Sequence, residues 1–397
     1  MFKSVLQWLG ISLIIGALAG TTSAGFLASL DFVTRTRQEY PWLLLLLPVA
    51  GISVAWMYHR HGKTVAAGTD LILDEIHSPK QVVPLRMTPL VLLGTLITHL
   101  FGGSAGREGT AVQMSASLSD QLTHLFEFEG QQRKILLMTG ISAGFSSVFG
   151  TPLAGAIFGL EVLRVGRLRY AALLPCFASA IFADRVTSMW GIHHTIYKIS
   201  EVAPLNMAPL GYAVFAGIAF GLCARLFSYS LHHMIRLFKN AINNPMVRAF
   251  VGGVIVIVLA ALMQSDRYLG LGVHVIVEAF QQHVPAYDFV LKILFTAVTL
   301  GAGFKGGEVT PLFFVGATLG NALSWILPLP MSLLSGMGFV GVFAGAANTP
   351  LACTVMAMEL FGTQGAVFCA VACIVSYLCS GHKGIYHSQR IGVKTHA

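Results

Sequence analysis

The stretch GGSAGREGTAVQM, Gly102 to Met114, sets an arginine and a glutamate side by side among small and apolar residues. It has a partner further along the chain. GREGTAVQMSASLSD from Gly106 resembles GGEVTPLFFVGATLGN from Gly306, and both Glu108 with Glu308 and Thr110 with Thr310 stand 200 residues apart. A second pair of segments, TPLAGAIFGLEVL from Thr151 and TPLACTVMAMELF from Thr349, matches at an offset of 198 and sets Glu161 against Glu359. Two independent matches at nearly one offset mark an internal repeat. The chain accordingly divides into residues 1–200 and 201–397.

The surroundings of these motifs are those of a membrane protein. Only 11% of the 397 residues are charged, 55% are hydrophobic, and the mean hydropathy is +0.72. Uncharged runs extend from Val5 to Leu30, Pro41 to Tyr58, Met87 to Gly106, Ile135 to Leu160 and Val309 to Met358. Each reaches the roughly 20 residues that a helix needs to span a bilayer. The first run follows Lys3 and exceeds an ordinary signal core, so it is expected to stay as a transmembrane helix. The reading is an all-α, multi-pass integral membrane protein.

The net charge of +8 does not point to nucleic acid, because the basic residues form short clusters between apolar blocks: Arg35 with Arg37, Arg133 with Lys134, and Arg164 with Arg167 and Arg169. Cytoplasmic loops have this composition, whereas a nucleic-acid surface requires a basic face on a soluble domain. The six cysteines lie singly in apolar segments and the fourteen histidines are scattered, which argues against a metal site. No cofactor is implied.

Arg164, Arg167 and Arg169 follow Glu161, but no basic residue follows Glu359 in LFGTQG. By the positive-inside rule these equivalent ends face opposite compartments, so the repeats are inverted. Proteins of this plan bind their substrate where broken helices meet near the midplane. The chain has breaks in suitable places, at Gly102, Gly103, Gly106 and Gly109, at Gly150–Pro152, at Gly301–Pro311 and at Asn348–Pro350. Irregular backbone at that depth must be buried in protein or line an aqueous cavity.

A helix starting near Glu108 exposes the unpaired N–H groups of Gly109 and Thr110 at a positive dipole end, which is an anion site. An ionised carboxylate beside such a site competes with a free anion, so one side chain can link anion and proton movement. The alternative for Arg107 and Glu108 is an ion pair that only caps and packs. Intramembrane carboxylates are costly and usually functional, which favours the first reading. Glu308 enters a helix near Pro311 in the same way, with Lys305 as a possible ion-pair partner. Thr310 offers a hydroxyl either as an anion ligand or as a simple cap.

Two enzyme motifs fail on inspection. GGSAG satisfies G-x-S-x-G at Ser104 with His99 nearby, the pattern of a serine hydrolase, but no strand precedes it and no orienting Asp is evident. GAGFKGGEVT lacks the GK[ST] ending of a P-loop, because Gly306 follows Lys305. The protein is read as not an enzyme.

GREGT, GGEVTP, the two TPLA segments and GIYHSQ from Gly384 together resemble the CLC family of chloride channels and anion/proton exchangers, over nearly the whole chain and in the family's order. GREGT and GGEVTP are most similar to its fluoride/proton antiporter branch. The resemblance implies a CLC-like fold of two inverted repeats, a homodimer, and a multi-pass location in a bacterial inner membrane. It implies fluoride as the exported anion, chloride as the alternative, and protons as the coupled ion. It further makes Glu108 the gating glutamate, places Glu308 and Thr310 at the central site, and gives Tyr386 an anion contact. The serine-bearing loop of chloride members falls at GTDLILDEI from Gly68, with Thr69 at the serine position, followed by Asp70; this departs from the fluoride branch. The second proton-carrying glutamate of chloride exchangers is replaced by Val162, which leaves Glu161 and Glu359 structural roles and either removes the usual proton route or, as the fluoride branch implies, shifts it to Glu308. No appended soluble regulatory domain is expected.

Overall fold

The computed structural model describes residues 2–391, with side chains from residue 5 onward. Eight helices make up the first half: α1 (Phe2–Glu39), α2 (Leu47–His61), α3 (Thr69–His77), α4 (Met87–Leu100), α5 (Glu108–Phe126), α6 (Gly130–Phe149), α7 (Pro152–Glu161) and α8 (Leu173–Met189). Eight more follow, again opening with a long helix and with α11 and α12 equal in length to α3 and α4: α9 (Met207–Ala241), α10 (Pro245–Met263), α11 (Val273–Gln281), α12 (Asp288–Gly301), α13 (Val309–Leu323), α14 (Met331–Ala347), α15 (Pro350–Phe361) and α16 (Ala366–Ser380). Two short strands, β1 (Arg164–Val165) and β2 (Arg390–Ile391), pair in parallel.

The repeat is inverted. Glu161, at the end of α7, accepts hydrogen bonds from the backbone N–H groups of Leu351 (3.1 Å) and Ala352 (2.8 Å) at the start of α15. Glu359, in the last turn of α15, accepts from Leu153 (2.9 Å) and Ala154 (2.8 Å) at the start of α7. Each carboxylate meets the positive end of the other helix, so α7 and α15 run antiparallel about a local two-fold axis.

Not every uncharged run becomes one span. Ile135–Leu160 is divided between α6 and α7, and Val309–Met358 among α13, α14 and α15. The local chemistry explains the breaks. α6 ends at Gly150 (φ +70°) and α14 at Asn348 (φ +55°), two residue types that tolerate the left-handed conformation closing a helix. Thr–Pro follows in both places, with the proline at the first position of the next helix, where its missing N–H is harmless. The helices long and apolar enough to cross a bilayer alone fall within Val5–Glu39, Pro41–His61, Tyr170–Met189, Met207–Ala241 and Pro245–Met263. The shorter helices α13 and α14 are packed inside, while α7 and α15 bury one side and expose Leu153 and Leu351 beside their starts, where the backbone N–H groups are taken up by Glu359 and Glu161.

Small residues allow that packing. A Cβ on Gly316 of α13 would lie 2.0 Å from the carbonyl oxygen of Gly338 on α14. The same crowding recurs in the first half, where a Cβ on Gly144 of α6 would meet the Ala111 carbonyl of α5 at 2.7 Å. Close backbone approach through small residues is how helices associate when water exclusion cannot drive them together.

Candidate anion pathway

The two glycine-rich loops cross at the centre of the fold. The N–H of Gly106 donates to the carbonyl of Gly307 (2.6 Å), and the N–H of Gly307 returns a bond to the carbonyl of Gly106 (2.8 Å). Only glycine permits this. Gly306 has φ +154°, and a Cβ there would sit 2.5 Å from the Cβ of Ala105. The crossing places the N-termini of α5 and α13 next to each other.

Glu108 spans the junction. Its carboxylate accepts from the backbone N–H of Thr310 (3.0 Å), from the Thr310 hydroxyl (2.5 Å) and from the N–H of Arg107 (3.1 Å). The side chain is 1% exposed, and the Arg107 Nε stands 3.7 Å from Oε1. Thus the glutamate at the start of α5 fills the anion-attracting end of α13, across the repeat, rather than the end of its own helix.

Glu308 faces the other way. With Thr69, Asp70, Lys305, Tyr386 and His387 it lines a cavity of about 370 Å³, while Glu108 and Thr310 line a much narrower space with Arg107, His194, Tyr197 and Phe313. Gly109 and Thr110 line neither. The Thr110 hydroxyl is bonded to that of Thr95 (2.7 Å), and Gly109 lies against Gly307. Lys305 forms no ion pair with Glu308 among the described residues. Its ammonium donates to the Ala66 carbonyl (3.3 Å) and sits 4.2 Å from the centre of the Tyr58 ring.

Thr69 opens α3 after Gly68, whose φ of +61° suits glycine, and its hydroxyl receives the Gln113 amide at 3.4 Å. Asp70 turns toward the C-terminal segment. It accepts from the Ser388 N–H (3.0 Å) and lies 3.5 Å from Nδ1 of His387. The Ser104 motif holds no hydrolase geometry: Ser104 bonds to Thr296 (3.0 Å), and both ring nitrogens of His99 are at carbonyls, of Thr95 (2.8 Å) and Ala105 (3.1 Å).

Two buried charges escaped the sequence reading. Arg133, placed by sequence in a basic loop cluster, is buried and gives a two-pronged contact to Asp120 (2.9 and 2.8 Å) and a third bond to Glu75 (3.0 Å). The available signal was Asp120, the one charge that follows Glu108 in α5. Lys292 is wholly buried and donates to the carbonyls of Tyr268 (3.0 Å) and Gly270 (2.8 Å). Nothing in its apolar sequence context marks it except the charge itself.

Broken, inverted helical repeats that bring two helix N-termini and a carboxylate together define a membrane ion-transport protein. Comparison with known proteins gives the family. The family profile described as voltage gated chloride channel matches residues 49–381. A chloride/fluoride channel protein of Pseudomonas syringae pv. tomato is 54% identical, over 99% of this chain and 88% of its own length. The solved structure of a CLC-type fluoride/proton antiporter superposes with a TM-score of 0.94 at 33% identity, covering 98% of this chain and 99% of that one. A slow cyanobacterial Cl⁻/H⁺ antiporter shares the fold, with a TM-score of 0.82 at 20% identity over 96% of each chain. The chain belongs to the voltage gated chloride channel (CLC) family, a family of channels and transporters rather than enzymes.

Proposed function

We propose that this protein exports fluoride in exchange for inward protons, with Glu108 as gate and shared carrier. The observation that carries the reading is the seat of the Glu108 carboxylate on the N–H and hydroxyl of Thr310. An anion arriving at the same donors must displace that carboxylate, and protonation of Glu108 eases its departure by removing the like charge. Anion and proton then compete through one group.

Fluoride is small and strongly hydrated, so it enters only where protein donors replace its water. Thr310, Thr69 and Tyr386 supply hydroxyls along the route, with the helix ends behind them. Glu308 faces the wide cavity and receives the proton on that side; Arg107 and Lys305 raise the local positive potential. The identities with the Pseudomonas protein and with the solved antiporter support fluoride as substrate. The halves 1–200 and 201–397 together frame one pathway, two such chains form a homodimer, and the host membrane is a bacterial inner membrane.

The test is efflux from liposomes holding the pure protein, with fluoride, chloride and pH read in parallel. Fluoride loss with opposing proton uptake and little chloride loss is the expected result. Chloride loss at an equal rate would replace fluoride by chloride as the substrate, and anion loss without proton movement would make the protein a channel.

A further inference from the structure

Two stretches of the chain hold no carboxylate side chain: residues 40–69, which include α2, and residues 202–265, which include α9 and α10. They carry Arg60, Lys63, Arg225, Arg236, Lys239 and Arg248 instead. The fold packs these stretches together. A Cβ on Gly51 would stand 3.0 Å from the Ala249 carbonyl oxygen, and one on Gly253 2.7 Å from Cα of Pro48. Thus α2 and α10 run antiparallel, and the end of α2 lies beside the start of α10. Arg60, Lys63, Lys239 and Arg248 gather at that end, which the positive-inside rule makes cytoplasmic.

A cavity of about 480 Å³ opens here among α2, α9, α10 and the loop after α12. Lys63, Lys239, Arg248 and Lys305 line it together with Tyr58 and His59, and no carboxylate does. Among the described residues none of these four cations forms an ion pair, whereas Arg37 and Arg267, at the opposite ends of α2 and α10, each have a carboxylate partner. Nε of Arg248 is buried without a hydrogen-bond partner, and Lys305 stands within electrostatic reach of both Lys239 and Arg248. Like charges around one cavity repel until an anion joins them, and a buried donor without an acceptor is costly. A guanidinium and several ammonium groups so placed suit a phosphate, whose oxygens accept from more than one donor at once.

The surroundings point to what carries the phosphate. Among the described residues, Pro245–Met263 is the most apolar of the spans long enough to cross a bilayer, with a mean hydropathy of 2.5, and the least buried. Val247, Phe250 and Val254 on α10 are exposed, as are Ile52 and Trp56 on α2. An apolar face of this kind is covered by acyl chains, and an exposed tryptophan within a turn or two of Arg60 and Lys63 marks the bilayer interface. The inner wall of the cavity is also partly apolar, with Ala55, Ile235 and Leu300. We propose that the cavity binds the phosphate of an anionic phospholipid of the cytoplasmic leaflet through Lys63, Lys239 and Arg248, with the acyl chains along α2 and α10.

The cavity shares Tyr58, Ala66, Lys239 and Lys305 with the one in which Glu308 stands. A bound headgroup therefore draws on the positive charge at the cytoplasmic mouth of the pathway. That effect on transport depends on the reading of Glu308 given above, whereas the lipid site itself does not.

The experiment uses the full chain in nanodiscs of phosphatidylcholine alone or mixed with phosphatidylglycerol. Retained lipid is counted by native mass spectrometry, and melting temperature is measured in each. The wild type is expected to retain phosphatidylglycerol and to melt higher in its presence. K239Q/R248Q should lose both effects, and K63Q, at an exposed position, should weaken retention about fivefold, one basic contact's share at a membrane surface. A single symmetric size-exclusion peak and an unchanged melting temperature in phosphatidylcholine alone verify that the variants are folded. K80Q removes an exposed lysine outside the cavity and should keep both effects. Equal phosphatidylglycerol retention by the wild type, K239Q/R248Q and K63Q would overturn the proposal, and so would an equal loss in K80Q, which would reduce the effect to general surface charge. Stabilisation of the detergent-solubilised wild type by inorganic phosphate, without retention of phosphatidylglycerol, would overturn it too and make free phosphate the ligand.

Discussion

Glu161 caps the helix that Glu359 ends, and Glu359 caps the helix that Glu161 ends, each through two backbone N–H groups. Both carboxylates are thereby used as structural caps. Losing a side-chain cap costs roughly 0.5–2 kcal/mol, and hydrogen bonds to charged groups fall in the upper part of that range. Glu161→Ala is expected to lower the melting temperature by several degrees while liposomes still show proton-coupled fluoride flux. A stable E161A protein that has lost proton movement would assign this residue to the proton route.

Glu108→Gln keeps the shape of the side chain seated on Thr310 but removes its charge and its titration, which tests the gating role proposed above. Anion flux should persist and lose its dependence on pH, with proton counterflow falling to background in the parallel pH recording. Unchanged coupling in E108Q would remove Glu108 from the mechanism.

Thr310→Val deletes the hydroxyl that holds Glu108 but leaves the backbone N–H in place. A hydrogen bond to a charged group contributes about 1.5–3 kcal/mol, so the seated position should be at least about tenfold less favoured. Anion leak without proton exchange should rise in T310V, and a fluoride flux as tightly coupled as in wild type would contradict the seat described above.

Asp70 is bound to the Ser388 N–H rather than aimed at the crossed loops. Asp70→Asn retains an acceptor oxygen, so the fluoride-to-chloride flux ratio should be unchanged, whereas Asp70→Ala should loosen the C-terminal segment. A shift in that ratio for D70N would show that Asp70 takes part in selecting the anion.

Arg133 neutralises Asp120 and Glu75 in a buried site. Breaking a buried pair by removing one partner costs about 3–5 kcal/mol, and here two carboxylates lose theirs. Arg133→Leu should fail to give a monodisperse protein in size-exclusion chromatography. Arg133→Lys should rescue it only in part, because an ammonium cannot reproduce the two-pronged contact to Asp120.

The fold was legible because its signals are local or periodic. Gly150–Thr151–Pro152 and Asn348–Thr349–Pro350 announce helix breaks by backbone chemistry alone, and the 198- and 200-residue offsets announce the duplication. Pairings between distant side chains were not legible. No pattern within a helix tells that Glu108 meets Thr310 instead of the N–H groups beside it, that Lys305 turns to Tyr58 instead of Glu308, or that Arg133 leaves its loop cluster for Asp120. The first two choices follow from contacts between the two halves of the chain, and the third from how α6 packs on α5.

Duplication should supply two of everything, yet the crossed loops hold only one seated glutamate, and the difference lies in two threonines. Thr110 and Thr310 are mates across the repeat, as are Thr95 on α4 and Thr296 on α12. In the first half Thr95 occupies the Thr110 hydroxyl, while in the second Thr296 is drawn away by Ser104 and leaves Thr310 free for Glu108. Ser104 has no counterpart in the second loop, where Phe304 stands close to the equivalent place. Among the described residues the halves thus differ in the partners of these threonines, and one crossed loop seats a glutamate on the other.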